Sequence, residues 1–366
     1  MSSKKSKILP FLIIIALSAV MGFFIGKFGK SIAAFDLPDN IGWFLMALII
    51  PSFFIVIGFH EGGHAIAGIL VKFDLRMYVI GPFLWEKESR GWKFKWNKNV
   101  NTSGGLVVCL PTGEKNLKNR FAVYAAGGPI ASLLLFIIGG AAYFIFKNTS
   151  MPMIGYASLL ISLFSLIIFI VTIIPSHMGG FASDGARVKK LLQGGDIAEF
   201  EILLVKIMTR GTVGIRPRDM SMTELEDALE LARKLKSPHE VYVHSMLHQI
   251  AFDKGYYDKA ELYLKQYMAL ADNIPEGIRN MVWLDAAFFF AYARKNVSQA
   301  TEHMNSFKPA ALIPKAQIHA TEAAISFLNN EKDKGESMKE AAIKELPNMI
   351  DRGGAVALRD RLETLS

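Results

Sequence analysis

Four long apolar runs constrain this chain more than anything else in it. Residues 8–26, 41–71, 121–146 and 153–175 each have the length that carries a helix across a bilayer, about 20 residues per crossing. The 366 residues are 51% hydrophobic with a mean hydropathy of +0.28, too apolar for an ordinary soluble enzyme of this size. Lys4, Lys5 and Lys7 precede the first run, as they would in a secretory signal. The run is longer than a typical signal core and no A-x-A cleavage site follows, so it reads as a retained first span. The count is four spans.

Charge divides the chain at the same place. Residues 1–190 carry a net charge of +11 and the remainder −3. The basic excess therefore belongs to the membrane half and reads as topology and headgroup contact, not nucleic-acid binding. Ten Lys/Arg fall in the 72–120 loop, against three in residues 27–40 and 147–152 together. Positive charge stays inside, so the N-terminus, this loop and the C-terminal half are expected in the cytoplasm of a multi-pass protein of a bacterial cell membrane. The single cysteine, Cys109, excludes an intramolecular disulfide and a cysteine zinc cluster, and beside Val108 and Leu110 it reads as a small buried apolar residue.

The 72–120 loop lacks helical periodicity. RMYVIGPFLW, GWKFKW and GGLVVCL are short, β-prone and bounded by Gly, Pro or Asn, which predicts a small sheet. The alternation of aromatic and lysine in WKFKW suits a surface that lies on the membrane interface. Residues 196–366 instead show helical periodicity broken roughly every 35–40 residues, the spacing of helix-hairpin repeats. HSMLHQIAFDKGYYDKAELYLKQYMAL reads as helix, tight turn at Asp253-Lys254-Gly255, helix. It resembles a tetratricopeptide repeat, with Gly255, Tyr257 and Ala260 near the small and aromatic positions; the units at LDAAFFFAYARKNVSQATEHMNSF and ATEAAISFLNNEKDKGESMKEAAIKEL match less well. The competing reading is a helical bundle without repeats. The expected fold is thus an all-α polytopic membrane protein of about four transmembrane helices, with a small membrane-surface β element and a soluble C-terminal α-helical repeat domain (TPR-like). Its parts are an N-terminal helix and loop (1–40), a membrane core (41–190) and a helical-repeat domain (196–366).

The second run contains VIGFHEGGHAI, residues 56–66. Ionisable groups inside a span are costly and mark function. Residues four apart share a helical face, so His60 and His64 can offer two imidazoles to one metal ion, with Glu61 beside them. That is the zinc-hydrolase pattern: two nitrogen ligands, a base and an open position. Zinc lowers the pKa of water toward 7 and Glu61 takes the proton. A bare H-E-x-x-H also arises by chance in soluble helices. In a span, the competing reading is a polar lining or a proton path. Gly62 and Gly63 read as clearance for a substrate backbone.

Two histidines leave zinc short of ligands. Asp184, in the SDG turn of TIIPSHMGGFASDGARV, is the candidate third, on the same side of the membrane as the end of the second span. His177 is close to it in sequence and reads as an interfacial histidine. His244 and His248 are also four apart but lack an adjacent Glu, and read as a polar face of the helical-repeat domain.

Together these residues resemble the site-2 protease family of intramembrane zinc metalloproteases. HEGGH (60–64) is similar to its H-E-x-x-H helix. GGPIAS (127–132) looks like its Gly-Pro motif, and TIIPSHMGGFASDGA (172–186) like its Asn-x-x-Pro…Asp-Gly motif. The resemblance spans residues 41–190. It implies a three-span catalytic core, Zn2+ held by His60, His64 and Asp184, and Glu61 as the catalytic base. It implies hydrolysis of a membrane-spanning or membrane-associated protein, with the β-prone loop holding substrate as an added strand. Gly128, Pro129 and Thr172 then fall at substrate-binding or oxyanion positions. Thr172 stands where the family has Asn, Gly62 where Leu is commoner, and Ser132 where an Asn often follows the Gly-Pro motif. Expected partners are the membrane substrate, the lipid bilayer and a cytoplasmic protein docked on the helical repeats. A protease-like scaffold acting through those repeats with a vestigial site is the alternative. A metal transporter suits Glu61 less well.

Overall fold

The computed structural model describes residue 38 and residues 40–366, apart from 89, 100–101, 179–180 and 311. The first expected span, residues 8–26, lies outside them. Among the described residues three helices are long and apolar enough to cross a membrane: α1 (Ile41–Leu70), α2 (Leu117–Phe146) and α3 (Pro152–Ile173). HEGGH does not interrupt α1, which runs through it. Large apolar side chains such as Phe59, Ile66, Ile138 and Ile167 are exposed on these helices, as lipid-facing positions are.

The chain forms two compact units. One holds the described residues up to Pro51 together with Gly139–Leu160, where Tyr143 of α2 packs edge-on against Tyr156 of α3 at 5.7 Å. The other holds Ser52–Ile138 and Ile161–Ser366, and contains every site residue discussed below.

The 72–120 loop is a four-stranded antiparallel sheet of β1 (Asp74–Ile80), β2 (Phe83–Glu88), β3 (Gly91–Trp96) and β4 (Leu106–Leu110), ordered β3-β2-β1-β4. Its register explains the aromatic–lysine alternation. Tyr78 pairs with Trp85, Trp85 with Phe94 and Phe83 with Trp96, so the aromatics fill one face. Successive side chains point to opposite faces, so Lys93 and Lys95 fall on the other, paired with Glu86 and Glu88. The aromatic face meets α1: the Tyr78 hydroxyl donates to the Gly58 carbonyl at 2.5 Å, and Phe54 lies edge-on to Phe83. Cys109 is buried against α1 at Gly68, and burial pushes its thiol up to about 12.

After α3 a short hairpin, β5 (His177–Met178) and β6 (Phe181–Ala182), leads into α4 (Asp184–Gln193) and α5 (Gly195–Thr212). Then follow α6 (Met222–Lys234), α7 (Glu240–Asp253), α8 (Tyr257–Ala269), α9 (Glu276–Arg279), α10 (Met281–Tyr292), α11 (Val297–Ser306), α12 (Lys315–Leu328), α13 (Lys332–Glu345) and α14 (Arg352–Glu363). Each of the three units read from the sequence is a pair of helices, α7–α8, α10–α11 and α12–α13, and Gly255 makes the first turn with φ 78°. One core runs through them, from Leu225 and Leu247 to Phe289, Ala320 and Leu362.

His244 and His248 correct an expectation. They share a face of α7, but that face is core: each is almost fully buried, among Tyr263, Phe252 and Phe289. Burial lowers His248 to about 4, so it packs as a neutral ring held by the Ala260 carbonyl at 2.9 Å.

Candidate metal centre

His60 and His64 lie one turn apart on the buried side of α1, 7% and 8% exposed. Each ring has one nitrogen engaged by α2. His60 Nδ1 is hydrogen-bonded to Ser132 Oγ at 3.0 Å, and His64 Nδ1 donates to the Tyr124 carbonyl at 2.9 Å. A proton on Nδ1 leaves Nε2 as the lone-pair nitrogen: the Tyr124 carbonyl, which can only accept, selects that tautomer of His64, and the Ser132 hydroxyl is able to accept from the same tautomer of His60. Both Nε2 atoms face Asp184, whose Oδ2 is 3.3 Å from His60 Nε2 and 3.4 Å from His64 Nε2.

The donor set fits zinc. The three residues present one ligand atom each, all within 4.8 Å of one another. Ligands about 2.0–2.1 Å from a tetrahedral ion stand roughly 3.3–3.4 Å apart, close to the observed carboxylate–imidazole spacings. Ser132 is itself buried, and its carbonyl accepts a hydrogen bond from Ser165 on α3 at 2.7 Å. All three span helices therefore take part in fixing the His60 ring.

Asp184 reaches the histidines from the SDG turn, and the two residues flanking it fix that turn against the end of α3. Ser183 caps α4 by accepting from the Ala186 N–H at 3.2 Å. Its hydroxyl also donates to the Ile174 carbonyl at 2.8 Å and accepts from Ser176 N–H at 3.1 Å, which ties the turn back onto the end of α3. Gly185 packs on the Ile173 carbonyl, where a Cβ would overlap the oxygen. Asp184 lies between them, at the first position of α4. Downstream, Arg187 and Lys190 of α4 both pair with the buried Glu201 of α5 at 3.0 Å.

Close helix approach explains the glycines. A Cβ on Gly63 would strike the Gly127 carbonyl, and one on Gly127 the Gly63 carbonyl. Gly63 thus gives clearance to α2 of the same chain, and Gly62 faces the Tyr78 hydroxyl; the clearance read from the sequence is taken up inside the protein. A Cβ on Gly128 would overlap His64 Nε2 and lie 2.7 Å from His60 Nε2, so this position keeps the ligand nitrogens unobstructed. Pro129 follows it within α2 and carries no N–H.

Glu61 stands apart from the three ligands, toward β4. Its Oε1 would be 2.7 Å from a Cβ at Gly105, and its carboxylate interacts with the Val107 backbone. The Val107 carbonyl accepts from the Tyr124 hydroxyl at 2.8 Å. Thr172 donates its hydroxyl to the Ile168 carbonyl of its own helix at 2.9 Å, so no hydrogen is left for the site in this rotamer. His177 lies on β5, and its side chain is outside the described ones. Sequence reasoning missed Tyr124 and Ser165 entirely and treated Ser132 only as a departure. A serine one helical turn beyond Gly128 in an otherwise apolar span was the available signal.

Two imidazoles one turn apart, completed by a carboxylate and accompanied by a second, make a hydrolytic metal-centre arrangement. The profile of Peptidase family M50 matches residues 48–348, more than half the chain. The chain belongs to that family, the site-2 protease family of zinc metallopeptidases. The match runs past residue 190, where the motif resemblance ends, through most of the helical region and stops ahead of α14. No curated protein and no solved structure matches the chain.

Proposed function

We propose that this chain is an intramembrane zinc metalloprotease that hydrolyses peptide bonds of membrane-spanning or membrane-associated proteins. The observation that carries this reading is the convergence of His60 Nε2, His64 Nε2 and Asp184 Oδ2 among apolar helices, with each ring's other nitrogen already engaged. Zinc bound there would supply a Lewis acid and a water molecule of pKa near 7. With zinc bound, Glu61 would be the residue that takes a proton from that water and passes it to the departing amide nitrogen. Gly128 keeps open the space beside the imidazoles that a substrate carbonyl needs. Pro129 shapes the same turn of α2, and Thr172 acts as an oxyanion donor only after its hydroxyl turns from Ile168.

The sheet has two edge strands, β3 and β4, and β4 passes Glu61. Unwound substrate would add beside β4 by backbone hydrogen bonds once Tyr124 releases the Val107 carbonyl. The aromatic face of the sheet rests at the membrane interface. Both termini are cytoplasmic, in a bacterial cell membrane, and the helix pairs from α7 onward form a TPR-like domain that docks a protein partner.

The test is cleavage of a co-expressed membrane substrate by wild type and by Glu61→Ala, with insertion of both chains verified. Loss of the general base should slow cleavage by about 10²–10⁴-fold. Unchanged cleavage would overturn the mechanism. Stoichiometric zinc in gently purified protein separates this reading from a scaffold with a vestigial site.

A further inference from the structure

α10 is an apolar helix that contains a buried carboxyl group. Its sequence is MVWLDAAFFFAY, and Asp285 is the one Asp, Glu, Lys, Arg or His in it, 8% exposed. Asp285 lines a cavity of about 750 Å³ that is walled mainly by α5, α7, α10, α12 and the 345–351 segment, and that also reaches Lys98 after β3 and Ala182 and Arg187 on either side of Asp184. One carboxylate oxygen accepts from the Gln317 amide, and the Tyr267 hydroxyl interacts with the group. The other, Oδ2, has no hydrogen-bond partner, and among the described residues no Lys, Arg or His makes an ion pair with Asp285, although the Arg361 charge acts on it from beyond contact distance. Arg361, which also lines the cavity, is committed to Asp253 at 3.2 Å and lies over the Phe252 ring at 3.9 Å. Burial raises the Asp285 carboxyl to about 7. A buried carboxylate without a cation is unfavourable, and natural proteins pair or neutralise it.

The rest of the wall is apolar, with Met208, Met246, Met281 and Phe288 among its side chains. Methionine-rich walls adapt to varied apolar groups. Gln249 also faces the cavity, and among the described residues its amide makes no hydrogen bond, so it retains both a donor and an acceptor for a peptide group. The volume falls in the range of pockets that enclose a ligand of several hundred daltons, the size of four or five residues of chain.

We propose that this cavity is a binding site for a short peptide segment carrying a lysine or arginine side chain between apolar residues, with the basic group seated against Asp285. The apolar neighbours fill the methionine-lined wall, and the peptide backbone bonds to Gln249 and to the free oxygen of the Gln317 amide. Asp285 is not one of the three residues of the metal centre, and the proposal does not rest on proteolytic activity.

The test uses the full chain in detergent and equilibrium dialysis against three blocked pentapeptide pools. Each pool has a mixture of Ala, Val, Leu and Phe at the outer four positions, with lysine, glutamate or norleucine at the centre. Wild type should retain the lysine pool about tenfold better than either other pool. Asp285→Asn should abolish that preference. Met246→Trp, which adds bulk to the cavity wall from α7, should remove retention of all three pools, so a folding failure of one variant leaves the other. Equal retention of lysine and norleucine pools would mean an apolar occupant and overturn the proposal. No retention by wild type at about 1 mM, or a lysine preference that survives both variants, overturns it equally.

Discussion

With His60 in its metal-binding tautomer, Ser132 does for it what the Tyr124 carbonyl does for His64: its hydroxyl receives the Nδ1 proton and leaves Nε2 free. In Ser132→Ala the buried Nδ1–H loses its acceptor, and the other tautomer, with its proton on the ligand nitrogen, becomes competitive. Zinc affinity should fall about 10–100-fold, read by chelator competition without reference to cleavage. Ser132→Thr keeps the hydroxyl and should recover most of it; equal affinity in Ser132→Ala would remove the positioning role. At this scale the sequence was most legible where chemistry follows from spacing. His60 and His64 had to share a face, and an apolar span made them conspicuous. Ser132 and Tyr124 were not legible because their roles are contacts across helices, 72 and 60 residues away in sequence. The pair at His244 and His248 shows the limit of spacing: the same interval puts two histidines on one face without saying that the face is core.

At the scale of elements, the position of Asp184 depends on where α4 begins and what holds it. Ser183 ties its start to the end of α3, and Glu201 of α5 holds Arg187 and Lys190 further along. Burial disfavours the Glu201 carboxylate, but the two cations more than offset this and hold its pKa below the ordinary 4.5. A depressed carboxylate stabilises the fold above its unfolded pKa and loses that contribution as pH falls through the folded value. Thermal stability of the purified chain should therefore decline below about pH 4.5, and Glu201→Gln should flatten that part of the profile. At neutral pH the same substitution should cost on the order of 2 kcal/mol, less than breaking a fully buried pair because Arg187 and Lys190 keep access to water. A profile unchanged by Glu201→Gln would assign the acid sensitivity elsewhere. The SDG turn itself was legible as permissive chain near a span end. Its folding back was not, because it rests on the Ser183 clasp and on Gly185 against Ile173.

At the scale of the molecule, the shift in composition near residue 196 marks a change of solvent, and packing continues across it. Ile202 and Val205 of α5 cover a cluster made of Ala65 from α1, Phe73, Val107 and Cys109 from the sheet region, Phe121 from α2 and Leu191 from α4. Lys206, 7% exposed, joins Glu224 at 2.6 Å to Glu114 at 3.2 Å, just ahead of α2. The far face of the sheet is engaged as well: Asn99 donates to the Asn348 carbonyl at 2.9 Å, and Arg352 lies 3.8 Å from Glu86. Removing the helical region would expose that apolar cluster to water at about 25 cal/mol per Å² and strip Arg187 and Lys190 of their anion. A chain ending at Gly194 keeps His60, Glu61, His64 and Asp184, yet it should bind zinc poorly in detergent and be cut by added protease in the 72–120 sheet. Zinc content and limited proteolysis, measured beside the full chain, decide the point. A truncated chain with full zinc and a resistant sheet would make the two halves independent modules, with α5 only a tether between them.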